Sequence, residues 1–135
     1  MALFRWDDSY SVKIKQFDAQ HQKLFTMIND LDDAINAGRS NDVLGKVFDD
    51  LVDYVLTHFS AEEQMMKANN YPQFYHHRTE HANLTARAFA LQTDFRSGKT
   101  GVTLETLDFL KSWLADHILV TDKAYGPFFN AAGIS

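Results

Sequence analysis

Seven side chains able to bind a metal ion recur along this sequence, on helical stripes that are otherwise apolar. They are His21, His58, Glu62, His77, His81, His117 and Asp122. In chain order they form a single histidine followed by HxxxE, HxxxH and HxxxxD spacings. Because residues four apart point to nearly the same side of a helix, the HxxxE and HxxxH pairs can each face one site.

The number of these ligands indicates two metal ions. A single core histidine hydrogen-bonded to a carboxylate is common, but five buried imidazoles without partners would destabilise the fold strongly. Neutral imidazoles bind transition metals, and carboxylates can bridge two cations while offsetting their charge. Seven ligands exceed the four of a closed structural zinc site, so the excess predicts a pair of metal ions that share bridges. These ligand types alone leave iron, manganese and zinc open.

The five-residue step from His117 to Asp122 does not fit a regular α-helix. It would place the two side chains about 140° apart around the axis. If both face the same site, the backbone must widen locally. The spacing therefore predicts an irregular turn, such as a π-bulge, between them.

Large apolar residues flank the ligands on the same helical faces, and we expect them to line a pocket beside the metal site that excludes water. They are Phe25, Ile28, Val55, Phe59, Trp113 and Leu114. The same spacing also fits ordinary core packing, and the two interpretations are compatible.

Other polar residues are predicted to face solvent. His76 lies about 100° around the helix from His77, so it is not expected to bind metal. A set of aspartates is expected to form solvated helix faces: Asp30, Asp32, Asp33, Asp49, Asp50 and Asp53. Met65 and Met66 are expected to fill gaps in the core or between helices.

Hydrophobic periodicity predicts the four helices that must position the ligands. Their approximate bounds are 18–37, 41–68, 72–97 and 104–125. Ser40 and Thr103 can cap the second and fourth helices, and Pro72 suits the first turn of the third. Gly38, Gly98 and Gly126 follow helical stretches where left-handed C-terminal caps are favoured, and Gly126 with Pro127 is expected to stop the last helix. The short connections predict an all-α, up-down-up-down antiparallel bundle in one domain of 135 residues, with residues 1–17 as an extended arm.

Composition excludes several other classes of protein. Hydrophobic residues make up 45% of the chain and include eleven Phe, which is enough for a core. The net charge is −5 and the Lys and Arg residues are scattered, so no nucleic-acid partner is expected. No apolar run approaches the roughly 20 residues of a membrane span, so no membrane insertion is expected. The absence of cysteine excludes thiolate metal sites. The first residues lack an export signal, and the expected location is the cytoplasm.

Four segments resemble the bacterial hemerythrin family, and the likeness extends over essentially the whole chain. They are FDAQH at 17–21, HFSAEE at 58–63, HRTEH at 77–81 and HILVTD at 117–122. All seven ligand positions of the family pattern hold the expected residue type. Hemerythrins are four-helix bundles, so this resemblance and the helical pattern lead to the same fold.

The resemblance implies two iron ions, cycling between Fe2+ and Fe3+, as the cofactor. By this resemblance, His77, His81 and His117 hold one ion, while His21 and His58 hold the other. Glu62, Asp122 and an oxo or hydroxo atom would bridge the pair. The second ion would keep an open position at which dioxygen binds. The six apolar residues that flank the ligands would then line the oxygen pocket.

The resemblance also implies a function. We expect reversible dioxygen binding rather than enzymatic turnover, for storage, transport or delivery to an oxygen-consuming enzyme. A histidine-rich site lacks the four carboxylates of oxygen-activating diiron bundles, whose negative charge helps to stabilise high-valent iron. Two alternatives remain open at this point. One is a diiron redox enzyme that reduces nitric oxide or peroxide or oxidises ferrous iron, and the other is an oxygen or redox sensor.

Overall fold

Four long helical segments account for most of residues 4–99 and 101–135, the residues that this computed structural model describes. The first three are α1 (Lys15–Asn36), α2 (Asn41–Ala68) and α3 (Phe74–Arg96). The fourth comprises α4 (Leu104–Asp116), a π-helical turn (His117–Asp122) and α5 (Lys123–Ala131). α1 packs against α2 and α4, and α2 packs against α3. The predicted all-α four-helix bundle is confirmed.

The helix ends follow the local sequence signals. The side chain of Ser40 accepts a hydrogen bond from the backbone N–H of Val43 at the start of α2, and Thr103 caps α4 in the same way. Gly38 and Gly98 adopt positive φ angles of 68° and 74° just after α1 and α3. Glycine suits these turns because other residues are strained there. α1 begins at Lys15, earlier than expected.

The predicted stop of the last helix at Gly126 and Pro127 is wrong. α5 continues through both residues to Ala131, and Gly133 (φ 84°) follows its end. A Cβ atom at Gly126 would lie 2.4 Å from the carbonyl oxygen of Val12. This glycine therefore allows the N-terminal arm to approach the helix closely and does not end it.

The N-terminal arm is anchored by one carboxylate. Asp18 accepts hydrogen bonds from the hydroxyl of Ser11 at 2.6 Å and from the backbone N–H of Val12 at 2.8 Å. Lys13, the next residue, adopts a left-handed φ of 63°. The arm also contains a short 3-10 turn, Asp8–Tyr10. The expectation of an extended arm thus holds in part for residues 4–14, and residues 1–3 lie outside the described residues.

Apolar side chains from all the long helices form the core. Phe17, Leu24, Phe48 and Leu107 are among the residues that are fully buried. The expectation that Asp32 faces solvent is wrong, since it is only 3% exposed. It accepts a hydrogen bond from the Asn36 amide one helical turn later.

Two smaller expectations about the helices are also resolved. Met66 is buried and Met65 packs at the edge of the core, as expected of gap-filling residues. Pro72 lies in the turn before α3 and not in its first helical turn. Across the described residues, no helix is both long and apolar enough to cross a membrane.

Candidate metal centre

The bundle brings all seven predicted ligands together in its interior. Each is at most 3% exposed, and every long helical segment contributes at least one: His21, His58, Glu62, His77, His81, His117 and Asp122. They form two overlapping groups whose candidate ligand atoms lie within 4.8 Å of one another. One group contains three histidines and the other contains two, and Glu62 and Asp122 belong to both.

A π-helical turn brings His117 and Asp122 to the same site. It spans His117–Asp122, so the predicted irregular turn is confirmed. The Nε2 atom of His117 lies 3.0 Å from Oδ1 of Asp122. The wider turn corrects the angular offset that a regular helix would impose over five residues.

The spacing between donor atoms fits metal coordination. Each histidine Nε2 lies between 2.8 and 3.3 Å from its nearest carboxylate oxygen in the cluster. The Nε2 atoms of His81 and His117 lie 3.1 Å apart. Two ligands at right angles around a metal ion, each at about 2.1 Å, would be about 3.0 Å apart. The donors are therefore spaced as neighbouring ligands of common cations would be.

Several polar atoms of the cluster make no hydrogen bond within the described residues. They are both ring nitrogens of His21 and of His77, Oε1 of Glu62 and both oxygens of Asp122. Buried polar groups without partners are costly and are rare in native proteins. A pair of cations would satisfy the Nε2 and carboxylate atoms among them. The buried cluster thus fits a metal site.

Partly exposed carboxylates orient two of the histidines. His81 Nδ1 lies 2.9 Å from Oε2 of Glu63, and His117 Nδ1 lies 2.9 Å from Oε1 of Glu80. The hydroxyl of Thr121 donates to both oxygens of Glu80. A carboxylate that accepts the Nδ1 proton directs the Nε2 lone pair of that ring inward and makes it a stronger ligand.

Two further contacts hold cluster residues in place. His58 Nδ1 lies 2.5 Å from Oε1 of Gln20, and the hydroxyl of Tyr125 donates to Oε2 of Glu62 at 2.5 Å. Burial first, and then the charge of Glu62, raise the pKa of Tyr125 well above its ordinary value, so this hydroxyl stays protonated. Sequence reasoning missed these outer partners, because polar residues beside a helical stripe look like ordinary solvated positions.

The electrostatics of the cluster favour positive charge. Burial alone would lower the pKa of His21, but Asp122 and Glu62 outweigh it and raise this pKa to about 9. His117 behaves in the same way, and its pKa is also raised to about 9. Burial lowers the pKa of His58 to about 4. Neighbouring imidazoles outweigh the effect of burial on both carboxylates and hold their pKa values low. The two buried negative charges thus attract protons, or metal ions in their place.

A small apolar cavity adjoins the cluster. Its volume is about 20 Å³, and its lining includes five of the six residues predicted for the oxygen pocket: Ile28, Val55, Phe59, Trp113 and Leu114. Phe59 stacks on the ring of His81 at 3.7 Å, and Trp113 stacks on the ring of His117 at 4.4 Å, both measured between ring centroids. The cavity therefore lies against rings of the cluster.

The remaining predicted pocket residue, Phe25, lies elsewhere. Its ring stacks on Phe4 at 3.8 Å and contacts Trp6 and Tyr10 of the arm. Helical spacing shows which side of α1 Phe25 occupies, but it does not show which segment packs on that side. The packing of the N-terminal arm on Phe25 therefore could not be predicted from the sequence. His76 is exposed, as predicted, and pairs with Glu80 at 2.9 Å.

Comparisons with known proteins identify relatives across most of the chain. Residues 12–129 match the family model described as Hemerythrin HHE cation binding domain. A protein named Bacteriohemerythrin from Methylococcus capsulatus is 36% identical over 132 residues, which are 97% of this chain and 100% of that one. A hemerythrin-like protein from Naegleria gruberi is 33% identical over 122 residues, which are 90% of each chain.

Solved structures support the same relationship. The crystal structure of a wild-type hemerythrin superposes on this chain with a TM-score of 0.90 at 36% sequence identity. The match covers 93% of this chain and 97% of that structure. The sequence and the backbone thus point to the same relatives.

Proposed function

The chain belongs to the hemerythrin HHE cation-binding family, and on that premise we propose that it binds dioxygen reversibly at two iron ions. In this proposal the seven clustered residues hold the ions. His77, His81 and His117 bind one, His21 and His58 bind the other, and the two shared carboxylates bridge them. When bound, the iron pair supplies two electrons to dioxygen and recovers them when dioxygen leaves.

The asymmetry of the ligand set is the observation that carries this proposal. Both groups share Glu62 and Asp122, but one group offers three imidazoles and the other only two. If both ions prefer the same number of ligands, the ion beside His21 and His58 keeps one position free. A position that the protein leaves unfilled is what a reversible ligand needs.

The apolar cavity supports dioxygen as that ligand. Its volume of about 20 Å³ exceeds the roughly 10–15 Å³ that one water molecule requires, but its apolar walls offer water no hydrogen bonds. Dioxygen needs no hydrogen-bonding partner in such a space. Leu24 of the lining lies one turn after His21, while Phe59 and Trp113 of the lining stack on rings of the other ligand group, so the cavity adjoins the cluster as a whole.

The composition of the cluster supports binding in preference to bond cleavage. Oxygen-activating diiron bundles use four carboxylates, whereas this cluster has two carboxylates and five imidazoles. The carboxylates of Glu63 and Glu80 act only through the Nδ1 atoms of His81 and His117. They fix the orientation of these rings, so that the Nε2 atoms face the site and can bind a metal ion.

The wider role is a further part of the proposal. Storage, transport or delivery of dioxygen to an oxygen-consuming enzyme, and a location in the cytoplasm, rest on the sequence analysis and on membership of the family.

Reversibility can be tested directly with iron-loaded protein. The protein would be reduced under nitrogen, exposed to air and then purged, while its visible absorption is recorded through repeated cycles. A carrier develops an absorption band in air and loses it on purging, with little decline per cycle. Irreversible oxidation in the first cycle, or steady turnover of nitric oxide or peroxide, would contradict the proposal.

The ligand assignment has a matched control in the same helix. We expect the His77→Ala, His81→Ala double variant to lose bound iron. The His76→Ala variant should retain it, because His76 faces solvent. Iron content per folded chain, with circular dichroism as a check on folding, distinguishes the two. Equal iron content in both variants would contradict the assignment.

A further inference from the structure

A groove of about 660 Å³ opens between α2 and α3 on the outer side of His81. His81 and Phe59 contribute to its lining, and the two rings are stacked in parallel, 5° from coplanar. Glu63, which accepts the Nδ1 proton of His81, also lines it. The groove therefore reaches a proposed metal ligand from the side opposite the metal ions.

The groove combines apolar and cationic groups. Leu56 and Phe89 line one part, and Phe89 is 47% exposed although it is large and apolar. Lys67 and Arg78 also line the groove, and neither forms an ion pair within the part of the chain that the structure describes. Glu63 is the one carboxylate in the lining, and its charge is engaged by His81.

We propose that this groove binds a reduced flavin mononucleotide, which delivers electrons to the iron pair through His81. The aromatic ring system would lie against the apolar wall, and the phosphate would pair with Lys67 and Arg78. The volume falls within the roughly 300–1,000 Å³ of small-molecule sites, whose walls are mainly apolar with a few polar anchors. Two unpaired cations in a chain of net charge −5 are complementary to a phosphate dianion.

The electron-transfer step rests on the proposed function. A carrier whose ions have been oxidised to Fe3+ must regain two electrons before it can bind dioxygen again. The dihydroflavin loses two electrons and two protons, each Fe3+ gains one electron, and the protons pass to solvent. The chain has no cysteine that could act as an internal thiol donor. His81 joins the groove to the metal centre, so the electron path is one side chain long.

Binding can be measured without iron or dioxygen. Metal-free protein would be titrated into oxidised flavin mononucleotide while the flavin fluorescence is followed, with riboflavin as the ligand that lacks the phosphate. The Lys67→Gln, Arg78→Gln variant should bind the nucleotide about 5- to 30-fold more weakly, as expected for two exposed charge pairs. The Lys23→Gln, Arg39→Gln variant removes the same charge outside the groove lining and should change affinity less than about twofold. No binding, equal binding of riboflavin, or equal loss in both variants overturns the proposal.

A second measurement separates this inference from the proposed function. Oxidised, iron-loaded protein would be mixed with photoreduced flavin mononucleotide in a stopped-flow instrument. The Lys67→Gln, Arg78→Gln variant should be reduced more slowly by the same factor. After chemical reduction with dithionite, its dioxygen binding should match that of the unmodified protein. An unchanged rate of reduction overturns electron entry through the groove, whereas loss of dioxygen binding in the unmodified protein contradicts only the proposed function.

Discussion

Substituting Gly126 with alanine tests how the arm is fixed to the last helix. The added Cβ atom would lie 2.4 Å from the Val12 carbonyl oxygen, about 1 Å closer than an ordinary contact. Because this neighbour is backbone, the arm must move, and overpacking of this kind costs about 1–3 kcal/mol. Alanine is also favoured over glycine inside a helix by about 1 kcal/mol, which partly offsets the clash.

Gly45 provides the matched control for this helix-propensity effect. It also lies inside a helix, but a Cβ atom there would meet nothing within 4 Å. Gly45→Ala should therefore raise the free energy of unfolding by about 0.5–1 kcal/mol. In urea denaturation of the metal-free protein, Gly126→Ala should be less stable than Gly45→Ala by about 1–3 kcal/mol. Equal stabilisation by both substitutions would refute the close approach of the arm.

Three more perturbations follow from contacts of the arm and the metal centre. Tyr125→Phe removes a buried donor to the Glu62 carboxylate, so the free energy of unfolding should fall by about 1.5–3 kcal/mol. The control Tyr54→Phe should change the free energy of unfolding little. Equal effects of the two substitutions contradict the contact. Lys13→Gly relieves a left-handed φ of 63° and should stabilise the fold by about 0.5–1 kcal/mol in urea, net of the backbone entropy of glycine. His21 and His117, whose pKa values are raised to about 9, bind protons in the metal-free site. Metal binding at pH 7 should therefore release protons, and metal affinity should fall as the pH falls below about 9. A weakly buffered metal titration that detects no released protons contradicts this.

The sequence was sufficient to anticipate the fold and the assembly of the cluster. Helical periodicity identified the long helices, because each buries one continuous apolar stripe. The ligand candidates could be recognised because polar residues on such a stripe must find partners. The π-helical turn was predictable from the five-residue step between His117 and Asp122, which a regular helix cannot accommodate.

Long-range packing accounts for what the sequence did not reveal. Gly126 and Pro127 are typical of helix ends, yet the glycine is used for the approach of Val12, more than a hundred positions earlier in the chain. Phe25 has the helical spacing of a pocket residue, but the N-terminal arm covers it. Glu63 and Glu80 could be placed on helices, but not opposite His81 and His117, because pairings between helices have no signal in local spacing.

The metal centre itself can be tested most directly by anomalous diffraction at the iron edge from crystals of the iron-loaded protein. We expect two peaks per chain, both beside Glu62 and Asp122. One should lie next to the Nε2 atoms of His77, His81 and His117, and the other next to those of His21 and His58. A single peak, or two peaks with a different set of neighbours, would contradict the assignment of these seven residues to two iron ions.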